Sequence, residues 1–361
     1  MTDFTRWLGD NHHVAVRLKD IARDLGVSVV TVSKVLRNHE DIGPETRDRV
    51  LKRIKELNYQ PNLAARALVT GRSHLMGLIV PDLVHAFFAE VAKGVSQLLR
   101  AHGYGLVIAS SEEDPDLEKQ EIAQMLARRL DVLLIASSQR TGESFRKIEE
   151  QQRSYVLVDR RFKGLAANFV GTDDLAVGRM ATEHLIENGC RRIAYIGGNT
   201  VSTALDRLKG YRSALSSANL RVSGKYTICR AHADDSGDVT GYRAAQELLA
   251  LSPRPDAIFC NNDPIAMGAI GAILEARLRI PEDISIVGAG NVRYASALRV
   301  PLSSIDQDSH ALGTRAAELA LSLVQAKGDR QPKQVLLQPR LVARESSLRN
   351  RSGSILPPMQ R

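Results

Sequence analysis

The rhythm of apolar positions changes once along the chain. Up to about residue 60 they recur at three- and four-residue spacing. Leu18, Ile21, Ala22 and Leu25 share one helix face, Val32, Val35 and Leu36 a second, and Val50, Leu51, Ile54 and Leu57 a third. Gly26 ends the first helix, since it accepts a left-handed backbone, and Ser28 can cap the second. Gly43, Pro44 and Glu45 open the third with a permissive cap, a proline in the first turn and an acid near the positive end of the helix. From His74 onward, short β-rich runs alternate with amphipathic stretches. The runs are 76–80, 106–110, 132–136, 155–159, 193–197, 226–230, 257–261 and 284–288. The stretches are 88–102, 117–129, 176–188, 207–218, 241–251, 265–276 and 313–325.

Two short helices around a tight turn predict a helix-turn-helix, whose second helix fits the DNA major groove. Val29, Val30, Ser33 and Lys34 are left on its outer face. Apolar strands alternating with helices imply parallel sheets covered on both sides. The expected fold class is therefore α/β: two Rossmann-like lobes preceded by an all-α headpiece. In such lobes ligands sit beyond the carboxyl ends of the strands. The residues there are polar and varied: Asp82 with Phe87 and Phe88, Ser110, Asp159 with Arg160, Arg207, Asn262 with Asp263, and Asn291. Carboxylates, amides and a guanidinium beside aromatic rings suit a small polyhydroxylated molecule.

Charge sharpens the picture at one end. Residues 16–72 hold 12 Lys/Arg against 7 Asp/Glu, so much of the formal net charge of +8 lies there, as a polyanion partner requires. Lys34 can donate to guanine O6 or N7 or meet a phosphate; Thr31, Ser33 and Arg37 are candidates for phosphate contacts, which fix register without reading sequence. No apolar run is long enough to span a bilayer, and residues 1–15 carry Asp3, Arg6, Asp10, His12 and His13 with no apolar core, so no secretory signal is expected. The three cysteines, Cys190, Cys229 and Cys260, show no metal spacing and suit a reducing cytosol.

Residues 16–72 resemble the headpiece of the LacI/GalR family of bacterial transcription regulators. The matching motifs are Asp20-Ile21-Ala22, Gly26-Val27-Ser28, Thr31-Val32-Ser33, Pro44-Glu45-Thr46-Arg47, Leu57-Asn58-Tyr59 with Pro61-Asn62, and Ala65-Arg66-x-Leu68. The resemblance continues to about Glu345. It implies a type I periplasmic-binding-protein-like core, a homodimer, double-stranded operator DNA as partner, and a sugar-like or nucleobase effector between the lobes. It places Val29 and Val30 at the operator-selecting positions. It makes 62–73, with Asn62, Ala65 and Leu68, a hinge helix and linker whose leucine wedges into the minor groove. A helix of that length does not persist unaided in water. By motif position the resemblance carries effector contacts to Arg207 and Asp263, and more weakly to Phe87 and Asp159. The chain departs from the family at Arg37 (commonly Asn), Gly43 (commonly Ser) and Gly290, where the family usually has a ligand-binding aspartate.

The expected organisation is thus a flexible extension 1–15, a DNA-binding domain 16–61, the hinge 62–73, a core 74–345 and a disordered tail 346–361. Lobe 1 is expected over about 74–160 and 304–329, and lobe 2 over about 161–303 and 330–345, with a last strand near 335–341 and three crossings between them. No catalytic or cofactor motif appears: there is no P-loop, Gly-x-Ser-x-Gly or Cys-x-x-Cys, and the nine histidines are scattered. The expected activity is a cytoplasmic repressor controlled by a small effector. A partner protein or nucleobase corepressor is the alternative; a solute receptor is disfavoured by the headpiece.

Overall fold

The computed structural model describes residues 16–36, 39, 41–59, 71–198, 200–230, 237–325 and 331–349. The chain divides into two compact units, within residues 1–71 and 72–361.

The first unit holds α1 (Leu18–Leu25), α2 (Val29–Leu36) and α3 (Pro44–Glu56). Asp20 accepts from the Arg17 N–H at 3.0 Å at the start of α1, and Gly26 closes it at φ 62°. Ser28 Oγ accepts from the Thr31 N–H at 3.0 Å, as the capping pattern requires. Ile21, Ala22, Val32, Val35 and Val50 form the core. Arg53 on α3 reaches Asp24 on α1 at 2.6 Å and so fastens two helices from outside. One expected core residue differs: Leu51 points outward, 46% exposed, because Val50 and Ile54 already fill the inward face of α3.

The second unit has two sheets. Sheet 1 runs β11-β5-β4-β3-β1-β2, all parallel, from β1 (Leu75–Val80), β2 (Gly105–Ser110), β3 (Val132–Ile135), β4 (Ser154–Val158), β5 (Asn168–Thr172) and β11 (Gln334–Leu337). Sheet 2 runs β12-β10-β9-β8-β6-β7, from β6 (Ile193–Gly197), β7 (Thr227–Cys229), β8 (Ala257–Cys260), β9 (Ser285–Ala289), β10 (Ser303–Asp306) and β12 (Arg340–Val342). Only β12 in sheet 2 is antiparallel. In lobe 1, α4 (Ala86–Ala101) and α11 (Ser309–Gln325) cover one face; α5 (Pro115–Ala127) and α6 (Arg146–Glu150) cover the other. In lobe 2, α9 (Gly237–Leu249) and α10 (Asp263–Glu275) pair on one face; α7 (Asp174–Glu187) and α8 (Ser202–Ser217) pair on the other.

The lobe boundaries differ from expectation. β5, at 168–172, completes sheet 1, so lobe 2 starts after it rather than at 161. The expected single strand near 335–341 is two strands, broken at Gln338-Pro339, and β11 belongs to lobe 1. The chain therefore crosses between lobes at 172–174, 306–309 and 338–339. Residues 346–349, expected as part of a free tail, are fastened to lobe 2. Ser346 Oγ donates to the Ile286 carbonyl at 2.7 Å, and Arg349 reaches the Asp256 carbonyl at 2.6 Å. The expected extension 1–15, most of the hinge (62–70) and tail residues 350–361 lie outside the described residues.

The three facing helix pairs approach through glycine. A methyl group at Gly94 or Gly313, Gly178 or Gly210, or Gly241 or Gly268 would fall on backbone of the partner helix. Close packing of this kind tolerates no added carbon. Gly268→Ala, which would press on the Asp238 carbonyl, should destabilise the protein by about 1–3 kcal/mol. Gly271→Ala, on the same helix but meeting only Tyr242 at 3.7 Å, should be neutral or stabilising by up to about 1 kcal/mol through helix propensity. Urea titration of the two variants checks this; equal effects would refute the packing argument.

Candidate functional site

On the outer face of α2, Val29 and Val30 are 44% and 61% exposed. Two β-branched apolar side chains held outward on a short helix form a surface without hydrogen-bonding capacity, suited to thymine methyls. Thr31 is half-buried, its Oγ1 2.9 Å from Ser28 Oγ. Ser33 is half-buried. Lys34 is not the free donor the sequence suggested: its ammonium pairs with Asp41, whose carboxyl this contact holds below its usual range. Reading a base would mean exchanging that partner. Arg37, Asn62, Ala65 and Leu68 lie outside the described residues.

In the second unit a cleft forms where carboxyl ends of both sheets face each other. Asp82, Phe87, Asp159 and Arg207 line it together, joined by His85, Phe88, Glu113 and Arg160 from lobe 1. Thr203, Asn261 and Asn262 from lobe 2 and Gln307 from the second crossing complete it. Strand-to-helix turns build much of the wall, because the first N–H groups of a helix call for acceptors. His85 Nδ1 accepts from the Phe87 N–H at 3.3 Å, and Asn262 Oδ1 from the Ile265 N–H at 2.9 Å.

Lobe 1 supplies acceptors. Asp159 follows β4 at φ 64°, with the Arg160 N–H donating to the Val158 carbonyl at 2.6 Å. Such a tight three-residue turn is strained, and strain of this kind gathers at functional sites. Asp159 is 6% exposed, and its carboxylate accepts no hydrogen bond among the described residues; the Arg160 Nε stands 3.9 Å away. Burial pushes its pKa up. Arg160 is committed elsewhere, forked onto Glu113 at 2.7 and 2.9 Å and donating to the Ser137 carbonyl at 3.2 Å. Glu118 in turn accepts from Ser137 Oγ at 2.6 Å and from the Ser138 N–H, which fixes the wall from behind.

Lobe 2 and the hinge supply donors. Three amides line the cleft, and each has its oxygen consumed internally. Asn261 Oδ1 accepts from Tyr195 Oη at 3.0 Å, Asn262 Oδ1 caps α10, and Gln307 Oε1 accepts from Arg207 at 2.5 Å. Their NH₂ groups have no acceptor among the described residues and remain as donors. Arg207 itself is 4% exposed and structural as well as cleft-lining. It also donates to Asp174 at 2.8 Å and to the Asn261 carbonyl at 2.5 Å.

Three expected residues are not in the lining. Ser110 is taken up by its own turn, donating to the Pro81 carbonyl at 3.5 Å. Asp263 is fully buried behind the wall. Its oxygens accept from Ser304 Oγ at 2.6 Å and the Val292 N–H at 2.9 Å, so it fastens β10 and the 290–292 loop. Asn291 binds Asp306 at 3.2 Å and Arg344 at 2.7 Å. Sequence reasoning missed His85, Glu113, Thr203, Asn261 and Gln307. His85 and Asn261 had a readable signal, since each stands at a strand-to-helix turn.

Residues 17–62 match the family model described as bacterial regulatory proteins, lacI family, and residues 182–347 match a periplasmic binding protein-like domain. The chain is 37% identical to the ribose operon repressor of Haemophilus influenzae, over 91% of this chain and 98% of that one. The fold is similar to the lac repressor dimer bound to operator and the anti-inducer ONPF, with TM-score 0.81 and 27% identity over 92% of this chain and 99% of that one. It is also similar to a transcriptional regulator CelR–cellobiose complex, with TM-score 0.69 and 28% identity over 92% and 99% of the two chains.

Burial in the cleft lowers the His85 pKa from 6.5 to about 4. The unfolded chain then binds more protons than the folded one between those values, so the contribution of neutral His85 is complete above pH 6.5 and lost as pH falls through 4. Without effector, the stability of His85→Asn, which keeps a cap, should fall less between pH 7 and pH 4.5 than that of the parent. Parallel pH profiles in chemical denaturation would refute this.

Proposed function

Since the chain belongs to the LacI family of bacterial regulatory proteins, we propose that it is a repressor whose grip on a duplex operator is set by a small effector, a sugar or sugar derivative, in the lobe cleft. It works in the cytoplasm as a homodimer on a pseudo-palindromic site, two α2 helices reading adjacent major grooves. Val29 and Val30 select by shape and methyl contact, Thr31, Ser33, Lys34 and Arg37 hold phosphates, and Leu68 opens a minor-groove step.

The polarity of the cleft carries the effector reading. One wall offers an unused carboxylate, Asp159; the other offers the NH₂ groups of Asn261, Asn262 and Gln307. A hydroxyl group donates and accepts, so a molecule bearing several satisfies both walls at once. Phe87 and Phe88, a T-shaped pair 5.1 Å apart, provide an apolar flank for a sugar ring. The similarity to a ribose operon repressor and to a CelR–cellobiose complex points the same way. The same aromatic flank favours a nucleobase as the second reading.

Such a ligand needs both walls, so it binds one lobe arrangement better than another and biases the hinge. Coupling of about 1–3 kcal/mol is typical.

A calorimetric panel of pentoses, hexoses and nucleobases tests the class. Asp159→Asn should weaken the bound effector at least tenfold, about 1.4 kcal/mol, while effector-free operator affinity stays within twofold. Unchanged effector affinity would remove Asp159 from the site. Leu68→Ala should weaken selected operator duplexes by about tenfold or more, read by fluorescence anisotropy, with effector affinity unchanged. Equal operator affinity would remove the wedge.

A further inference from the structure

Beside the cleft lies a hollow of about 680 Å³, a groove on the flank of the lobe junction. Loops 137–142 and 160–165 of lobe 1 form one side, and the first two turns of α8 in lobe 2 form the other. It shares Arg160 and Val201 with the cleft, so the two spaces meet.

The groove is short of negative charge. Arg140, Arg160, Arg161, Lys163 and Lys209 line it, and Asp206 is the one acid among its lining residues. Asp206 is already spent on Lys209 at 2.6 Å and Arg161 at 3.4 Å. Arg140 and Lys163 are exposed, with no ion pair or hydrogen bond among the described residues. Arg160, 7% exposed, is paired with Glu113, and its Nε stands 3.9 Å from Asp159, so the spare charge of the groove rests on Arg140 and Lys163. The adjoining helix, α8, starts after Val201 with no side-chain cap, so its first N–H groups and its positive end add to the same field.

We propose that this groove binds the phosphate of a phosphorylated sugar whose sugar part lies in the cleft. The inference rests on the effector reading above and narrows it from a sugar or sugar derivative to a sugar phosphate ester. Guanidinium and ammonium groups on two walls, with open helix N–H groups, match a dianion with three acceptor oxygens. The walls belong to different lobes, which already touch here, where the Arg161 N–H donates to Ser202 Oγ at 3.0 Å. A phosphate joining Arg161 and Lys163 to Lys209 therefore favours the arrangement in which the lobes are drawn together, and couples effector charge to the hinge.

The test uses the full chain, calorimetry and thermal unfolding at fixed ionic strength. The probes are neutral pentoses and hexoses, their phosphate monoesters, and inorganic phosphate alone. A phosphate ester should bind at least tenfold more tightly than its parent sugar, and that ratio should fall below threefold in the double variant Arg140→Gln, Lys163→Gln. Equal affinity for sugar and ester, or a ratio that survives in the double variant, overturns the groove and leaves the effector reading standing. If neither sugar nor ester binds, the effector reading falls and inorganic phosphate decides the groove. A rise in Tm for the parent but not the double variant retains an anion site; no rise, or the same rise in both, removes it.

Discussion

A single buried guanidinium ties two of the lobe crossings to the lobe 2 wall. Arg207 is almost excluded from water, a position that a charge tolerates only when it is paired and hydrogen-bonded. Its partners are not local. Asp174 stands just after the first lobe crossing, Gln307 lies in the second, and the Asn261 carbonyl follows β8. Two of the three strands of the hinge are thus tied to one side chain that also lines the cleft. A ligand that reached this wall would stand directly against side chains of the crossings. Removing the arginine would leave Asp174 as a buried carboxylate without compensation, a loss far larger than that of a ligand contact.

The cleft inherits its chemistry from the way parallel sheets end. Each strand gives way to a helix whose first N–H groups need an acceptor, so polar side chains collect there for structural reasons before any ligand is considered. His85 and Asn262 belong to this class. What distinguishes a binding surface from a set of caps is the capacity left over. Glu113, Arg160, Ser137 and Glu118 cancel one another and stiffen the lobe 1 wall. Asp159 is left with its oxygens unclaimed, on a turn whose left-handed backbone costs energy to hold.

The sequence made the headpiece legible because its signals are local: a face at helical spacing, Gly26, Ser28 and Pro44. Most strands were legible as apolar runs. β5 (Asn168–Thr172) was not singled out, and β10 was not either, since Ser303-Ser304-Ile305-Asp306 reads as polar. It is buried only because its hydroxyls find partners up to 44 residues away, at Arg344, Ser347 and Asp263. β11 and β12 read as one strand because nothing in their composition says that the two halves join different sheets. At the site the limit was the same. Motif position led to Asp263, but whether a carboxylate faces a cavity or a neighbouring hydroxyl is decided by tertiary packing. Glu113 lies 47 residues before Arg160 and carried no local sign of that pairing.

The same packing gives a reason for the glycine at 290, where the family resemblance leads one to expect an acid. Gly290 has φ 129°, a backbone that side chains rarely adopt, and a carbon added there would stand 3.4 Å from Asp263 Oδ2. Asp263 is buried with two donors to satisfy it, and a second carboxylate beside it would go unpaired. The lobe 2 wall is therefore left to amides, and the cleft's unclaimed carboxylate oxygens lie on lobe 1. This asymmetry gives the cleft a direction. A ligand must present donors to one wall and acceptors to the other, so it gains its full binding energy only when both walls reach it.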